Sequence, residues 1–149
     1  MVSNKKVYLA SPWFKPETAE RQSRICEYIR SKGFIVFDPK SNVVTTSSAN
    51  DAKTDAFLNN LEAINDADIV VAITDGKDMG TIWESGYAFA RKKPIIYYAE
   101  TLGNNQFNLM LAKSGVAVCR TQLELKIALR DENTYNIKNA YDVYQGEIE

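Results

Sequence analysis

Residues 68–74 read Asp-Ile-Val-Val-Ala-Ile-Thr, an unbroken run of five apolar residues between two polar ones. A strand that is apolar on both faces is typical of the centre of a parallel sheet, where helices cover both sides. The run therefore predicts a central parallel strand. The residues on either side of it indicate how the rest of the sheet is built.

Shorter apolar runs alternate with helical patterns on both sides of this strand. Further strands are predicted at residues 7–10, 34–37, 94–99 and 116–119. Helices are predicted in the intervals, one ending at Lys32, two over residues 54–65 and 81–92, and one starting at Thr121. The alternation predicts an α/β fold: a five-stranded parallel sheet of the doubly wound type, flavodoxin-like or Rossmann-like, with helices on both faces. The 149 residues show no repeat or linker, so residues 1–149 are predicted to form a single domain.

The composition excludes several classes of catalytic site. The chain has no histidine, which removes Ser-His-Asp and Cys-His sites and histidine-ligated zinc. Its 18 basic and 19 acidic residues give a net charge of −1, without the positive surplus of a protein that binds nucleic acid polymers or anionic membranes. We expect neither a metal nor a cofactor, so catalysis would depend on carboxylates, tyrosines, lysines or backbone amides.

The cysteines and the N-terminal residues favour a cytoplasmic location. Cys26 and Cys119 are far apart and form no CxxC pair, which is typical of reduced, buried cysteines. The N-terminal residues contain no signal-peptide core, and no run approaches the ~20 apolar residues of a transmembrane helix. The sequence therefore predicts a soluble cytoplasmic protein.

The chemistry is expected where the strands end. In doubly wound sheets, ligands bind at the carboxyl ends of the strands, near the change in strand order. The segments that follow the strands are rich in aromatic and acidic residues: 11–14, 38–42, 74–84 and 100–110. The sequence contains neither GxGxxG after the first strand nor the P-loop pattern, which argues against dinucleotide and P-loop sites.

Two carboxylates after the central strand are the first candidates. Asp78 lies in the loop that follows this strand, and Glu84 lies in the first turns of the next helix, between Gly80 and Gly86. The helix N-terminus would favour an ionised Glu84, as a nucleophile requires. The alternative is that Asp78 merely caps the helix and that Glu84 is a solvated residue on its surface.

Aromatic residues near the first strand are the second candidates. Trp13 and Phe14 follow this strand, and Tyr8 lies within it, so that the three side chains could stack against a planar ring. The alternative is ordinary packing at the end of a strand. Because two consecutive aromatics cannot easily both point into the core, one of Trp13 and Phe14 is expected to face a ligand.

Four segments of the chain resemble the nucleoside 2-deoxyribosyltransferases. They are residues 7–14, 80–88, 108–110 and 141–146, of which the Gly-x-x-x-Glu-x-Gly core and the later Asn-Leu-Met are the most specific. That family transfers 2-deoxyribose between purine or pyrimidine bases with retention at the anomeric carbon. The resemblance implies that Glu84 is the nucleophile of a covalent deoxyribosyl intermediate, that Tyr8 orients Glu84, and that Asp78 contacts the base and assists proton transfer.

The resemblance also implies substrates and partners. These are 2-deoxynucleosides and free nucleobases, bound by a homo-oligomer (a hexamer, or a dimer or tetramer) whose active sites are shared, with Asn108 supplied by the neighbouring subunit. The residues expected to contact substrate are Trp13, Phe14, Asn42, Asn60, Gly80, Asn108, Met110 and Tyr144.

Two positions depart from the family pattern, and both concern the base. Asn60 stands where the family usually has an aspartate. Residues 40–53, rich in Ser, Asn and Thr, are predicted to form a long polar loop, which offers Asn42 where the family often has a glutamine near position 43. An amide can hydrogen-bond a base but does not release a proton at neutral pH. The preference for one base over another is therefore expected to differ more than the type of reaction.

Two other functions remain open from the sequence. A related hydrolase would cleave 2-deoxynucleosides or their 5-monophosphates with water as the acceptor. However, residues 11–16 are aromatic and proline-bearing and offer few amides to a phosphate. A non-catalytic nucleoside sensor on the same fold is favoured by Asn60 and opposed by the combination of Glu84, Tyr8 and Asp78.

Overall fold

The computed structural model describes residues 4–42, 50–139 and 144–149. The predictions for the Asn42 side chain and for the tail residues 141–143 lie outside the described part. None of the helices in the described ranges combines the length and the apolar character of a membrane-spanning segment.

Five parallel strands form one sheet in the order β2-β1-β3-β4-β5. The strands are β1 (Lys6–Ala10), β2 (Ile35–Phe37), β3 (Ile69–Ile73), β4 (Ile95–Tyr98) and β5 (Ala117–Cys119). All five residues of β3 are buried, which confirms the prediction of a central strand covered on both faces. The strand order changes direction between β1 and β3, so the segments that follow these two strands lie side by side.

In the described part of the chain, five α-helices cover the two faces of the sheet, which confirms the doubly wound α/β fold. They are α1 (Pro16–Ser31), α2 (Asn50–Asp66), α3 (Met79–Ala90), α4 (Leu109–Ser114) and α5 (Gln122–Arg130). Buried residues of α1 and α5, such as Ile29 and Leu125, pack on one face. Buried residues of α2, α3 and α4, namely Ile64, Ala88 and Ala112, pack on the other.

The second helix begins earlier than predicted. We expected a polar loop to extend to residue 53, but α2 starts at Asn50. The first half of the helix is largely exposed, with Phe57 and Leu58 each about half accessible, and the core contact is made near its end by Ile64. Without an apolar stripe facing the core, the first turns of this helix carry no periodic signal.

Helix α4 was not predicted from the sequence. It begins after Asn108, whose side chain caps the helix by accepting hydrogen bonds from the backbone of Met110 (3.0 Å) and Leu111 (3.2 Å). Gly115 follows its end. A helix of six residues is too short to show a helical period, so the capping residue and the glycine are its signals in the sequence.

Candidate active site

A buried tyrosine and a carboxylate join the sheet to α3. Tyr8 of β1 is fully buried, and its hydroxyl donates a hydrogen bond to Oε2 of Glu84 in the second turn of α3. Burial, followed by the charge of Glu84, holds the pKa of the Tyr8 phenol well above its usual range. The phenol therefore keeps its proton and remains a donor to Glu84.

Burial dominates the ionisation of Glu84. It raises the pKa of this carboxyl from 4.5 to about 7, while the hydrogen bond from Tyr8 lowers the pKa and the charge of Asp78 raises it. We expected the helix N-terminus to favour the ionised form of Glu84, but burial has the larger effect on this carboxyl and raises its pKa. The helix dipole acts mainly within the first turn, and Glu84 lies beyond it. Near pH 7 the carboxyl is thus divided between its protonated and ionised forms.

Asp78 caps α3. Its Oδ2 accepts hydrogen bonds from the backbone nitrogen of Thr81 (2.9 Å) and from Oγ1 of Thr81 (3.0 Å). This confirms the capping role that the sequence left open for Asp78, whereas the alternative of a solvated Glu84 is wrong. A Cβ at Gly80 would come within 3.2 Å of the same Oδ2, so the glycine keeps the space beside the cap clear.

The loop that carries Asp78 is fixed from the neighbouring strand. Asp75 is buried and accepts hydrogen bonds from Thr101, through the backbone nitrogen (2.8 Å) and Oγ1 (2.5 Å), in the segment after β4. Gly76 and Lys77 then turn the chain with φ of +86° and +51°. Glycine adopts this left-handed conformation without steric cost. The turn delivers Asp78 to the start of α3.

A cleft of about 390 Å³ opens above Glu84, between α2 and α3. It contains four of the predicted site residues: Trp13, Asn60, Gly80 and Glu84. Its other walls are Pro39, Phe57, Leu61 and Trp83. The cleft is therefore mostly apolar and aromatic, with one carboxylate withdrawn from water and hydrogen-bonded to a fixed donor. Such a site suits a ligand with a planar ring and a reaction at an electrophilic carbon.

Of the two aromatics after β1, the structure places Trp13 in the cleft and Phe14 outside it. The two rings contact each other, with centroids 4.8 Å apart. Trp13 is half-buried and lines the cleft, whereas Phe14 is 75% exposed and is not among the lining residues.

Three further predicted residues lie away from Glu84. Asn108 and Met110 line a second cleft of about 640 Å³ beside the segments that follow β3 and β4. Tyr144 packs against Phe107 with ring centroids 5.5 Å apart, and its hydroxyl accepts a hydrogen bond from Arg120 (2.9 Å). Within one chain these three residues are not brought to Glu84. The contact of Asn108 with substrate in the site of a neighbouring subunit stays a prediction, as do the substrate contacts of Met110 and Tyr144.

The side walls of the cleft were not predicted from the sequence. Phe57, Leu61 and Ile64 have the spacing of one face of the helix predicted over residues 54–65, but Phe57 and Leu61 line the cleft, and Ile64 alone of the three is fully buried. The ring of Phe57 meets that of Trp83 with centroids 5.6 Å apart. The signal was the spacing: residues 57, 60 and 61 of α2, and 80, 83 and 84 of α3, each share one helix face.

No group of three or more histidine, cysteine, aspartate or glutamate side chains within the three described ranges is arranged to hold a metal ion.

The burial of Glu84 has a measurable cost in stability. The unfolded chain loses this proton at its ordinary pKa of 4.5 and the folded protein at about 7, so stability falls as the pH rises between these values. Glu84→Gln removes the charge and keeps an acceptor for Tyr8. At each pH, the free energy of unfolding of this variant can be compared with that of the parent. We expect this difference to shift in favour of the variant by about 3 kcal/mol as the pH rises from about 4 to about 8. Urea denaturation at several pH values measures this gain, and a pH-independent difference would contradict it.

Comparisons with known proteins identify similar sequences and structures. A family model described as nucleoside 2-deoxyribosyltransferase matches residues 7–135. The solved structure of a 2-deoxyribosyltransferase from Bacillus psychrosaccharolyticus is 30% identical, with 89% of this chain and 96% of that chain covered and a TM-score of 0.77. No curated protein matches the chain.

Two more distant structures share the fold. A conserved protein of Enterococcus faecalis V583 is 22% identical, with 86% of this chain and 98% of that chain covered and a TM-score of 0.70. The CMP N-glycosidase of Clostridium botulinum is 21% identical, with 84% and 97% covered and a TM-score of 0.56.

Proposed function

The chain belongs to the nucleoside 2-deoxyribosyltransferase family, and we propose that it transfers 2-deoxyribose from one nucleobase to another with retention at the anomeric carbon. The observation that carries the proposal is the hydrogen bond from Tyr8 to Glu84 at the base of the aromatic cleft. The cleft thus contains a carboxylate that is removed from water and held through one of its oxygens by a hydrogen bond. Flat apolar walls, on which a base can stack, lie beside this carboxylate.

The first step is displacement of the base by Glu84. The ionised carboxylate attacks the anomeric carbon, the glycosidic carbon–nitrogen bond breaks, and its electron pair leaves with the base. The product is a deoxyribosyl ester of Glu84, formed through a transition state with oxocarbenium character. A 2-hydroxyl would withdraw electrons from this developing cation, so its absence from 2-deoxyribose favours the step. The donor hydrogen bond of Tyr8 holds the carboxylate in line and stabilises its charged form.

The leaving base must gain a proton, and Asp78 is the group we propose for this step. Its two hydrogen bonds with Thr81 are both accepted by Oδ2, and we propose that Oδ1 contacts the base. In the second step an incoming base attacks the same carbon, the ester bond to Glu84 breaks, and the incoming base releases its proton. Two displacements at one carbon give overall retention, and the proton count is restored.

The base is held by the cleft walls. Trp13 lies on the wall and offers its ring as a stacking surface, and Asn60 offers an amide that both donates and accepts hydrogen bonds. Because an amide at this position cannot deliver a proton, protonation of the leaving base falls to Asp78. We propose that the amide selects among bases through their hydrogen-bonding edges.

We also propose that the active site is completed by a second subunit. Asn108 and Met110 stand together at the start of α4, and Met110 is 74% exposed. Neither contacts the cleft of its own chain. A homo-oligomer that places the start of α4 over a neighbour's cleft would bring the Asn108 amide to the sugar hydroxyls.

An exchange assay tests the proposed function. The protein is incubated with thymidine or deoxyinosine plus adenine, with a control that lacks adenine, and the products are separated by chromatography. We expect deoxyadenosine to form. Equal release of free base with or without adenine, without a new nucleoside, would instead show an N-glycosidase. Failure to act on any donor, nucleotides included, would leave a nucleoside sensor.

The two roles of Asp78 can be separated by substitution. Asparagine caps helices about as well as aspartate, so Asp78→Asn is expected to keep the parent's melting temperature. It cannot supply a proton, so we expect the rate of exchange to fall by about 10²-fold. Asp78→Ala, which loses the cap as well, should lower stability by about 1 kcal/mol. Parent-like turnover by Asp78→Asn, measured beside thermal unfolding, would restrict Asp78 to capping.

A further inference from the structure

The ring of Tyr8 lies between two neighbouring strands. In the pair β1–β2, Tyr8 stands opposite Phe37, and the two rings stack with centroids 5.5 Å apart and planes 11° apart. In the pair β1–β3, Tyr8 stands opposite Val70, which is fully buried. These two neighbours determine the plane of the phenol ring, and that plane sets where its hydroxyl meets Glu84.

Phe37 also lies between Tyr8 and solvent. β2 is an edge strand, and Phe37 is half-buried on it. Its ring lines an open groove of about 750 Å³, whose other side is formed by residues of α2 that include Asn59, Glu62 and Ala63. Tyr8 itself has no exposed surface. The face of the Tyr8 ring is therefore separated from the water of this groove by the ring of Phe37.

We propose that Phe37 is a positioning residue for the transfer reaction: its ring holds the Tyr8 ring flat and keeps groove water from the hydrogen bond between Tyr8 and Glu84. The catalytic consequence rests on the proposed function, whereas the shielding is a property of the free protein. A leucine at position 37 has no flat face to cover the phenol. It would leave space beside Tyr8 that water can enter from the groove.

The titration of Glu84 reports on this shielding. Among the residues that the structure describes, two titratable groups act on Glu84, namely Tyr8 from β1 and Asp78 from the loop before α3. Helix α2 faces the cleft with Asn60 and Leu61, which do not titrate. Phe37→Leu leaves all of these side chains in place. Desolvation is the largest cause of the raised pKa of Glu84, so entry of water lowers it.

The first experiment measures the Glu84 pKa without substrate. Protein labelled with ¹³C at the glutamate carboxyl carbons is titrated by NMR, and the Glu84 signal is assigned from its loss in Glu84→Gln. The parent should titrate near pH 7, and we expect the midpoint in Phe37→Leu to fall by about one pH unit. Phe37→Tyr keeps the flat ring and should restore the parent value. An unchanged or raised midpoint in Phe37→Leu would overturn the proposal.

A matched control separates shielding from packing. Phe89, near the end of α3, packs against the same core cluster as Phe37 but does not line the groove that Phe37 lines. Phe89→Leu removes the same atoms from that core, so it should lower the melting temperature without moving the Glu84 midpoint. Equal midpoints in Phe37→Leu and Phe89→Leu would show that both rings serve packing alone.

The second experiment measures catalysis. We expect kcat for base exchange to fall about tenfold in Phe37→Leu, with the KM for the donor changed by less than about twofold. Free base released without an acceptor should form a larger share of the products, because water reaches the ester. Parent-like kcat and product ratio would contradict the catalytic part. If the parent shows neither exchange nor base release, the proposed function fails, and the NMR titration still decides the shielding.

Discussion

Glu84→Ala is expected to abolish the transfer of 2-deoxyribose, with a fall in kcat of at least about 10³-fold, because the reaction then lacks the group that bonds to the sugar. Glu84→Gln should be equally inactive although it retains the shape of the side chain and an acceptor for Tyr8. The measurement is the exchange assay, run on both variants beside the parent. Comparable rates in parent and Glu84→Gln would exclude a covalent role for this carboxylate.

Two additional measurements separate loss of the nucleophile from loss of the fold. With donor nucleoside and no acceptor, the parent should gain the mass of one deoxyribosyl group, and Glu84→Gln should not. Azide added to Glu84→Ala can enter the space that the carboxylate leaves and attack the anomeric carbon as the base departs. Formation of deoxyribosyl azide by Glu84→Ala, but not by Glu84→Gln, would show that the anomeric carbon of the sugar lies next to the side chain of residue 84. A control carboxylate, Glu62 on the exposed surface of α2, is expected to tolerate Glu62→Gln with the parent's activity.

Tyr8→Phe has the second largest expected effect. It removes one hydrogen bond to a charged group, worth about 1.5–3 kcal/mol, so kcat should fall by about 10- to 150-fold. The direction of its pH effect is distinctive. The hydrogen bond from Tyr8 lowers the pKa of Glu84. Its loss raises that pKa above about 7, and the acidic limb of kcat/KM moves to higher pH.

Tyr97 provides a matched control for this substitution. It is a buried tyrosine on the same side of the sheet, and its hydroxyl shares a hydrogen bond of 2.7 Å with Ser114 rather than with a group of the cleft. Tyr97→Phe should cost stability without moving the acidic limb. If Tyr8→Phe and Tyr97→Phe gave the same pH profile, Tyr8 would not tune the carboxylate. The opposite shifts expected for Tyr8→Phe and Phe37→Leu distinguish loss of the donor from entry of water.

The strands were the most predictable part of the fold. β3 could be predicted from residues 68–74 because a strand buried on both faces needs an unbroken apolar run. The edge strands β2 and β5 are only partly buried and were predicted from shorter apolar runs. The first turn of α2, residues 50–53, could not be predicted, because an exposed end of a helix places no apolar residues against the core. Helix α4 could not be predicted because its six residues span less than two helical turns.

The candidate site was predictable in its polar residues and not in its environment. Glu84, Asp78 and Tyr8 could be chosen because they lie where strands end or at the centre of the sheet. The protonation of Glu84 could not, because its pKa depends on burial by residues of β1 and α2 that are distant in the chain. The walls formed by Phe57 and Trp83 were missed for a related reason. An apolar residue on a helix is assigned to the core by default, and a cleft between two helices uses the same residue types.

The half-exposed side of α2 has a consequence for how base preference can evolve. Phe57 is half accessible and contributes to a cleft wall, while the core contact of the same helix is made by Ile64. Substitutions at exposed positions usually change stability by less than about 0.5 kcal/mol. Changes at the exposed position 57 can therefore reshape the cleft at little cost in stability, and positions 60 and 61, which are partly buried, line the same cleft apart from the sheet that holds Tyr8. A combinatorial library restricted to these three positions would explore new nucleobase preferences while keeping the reactive pair intact.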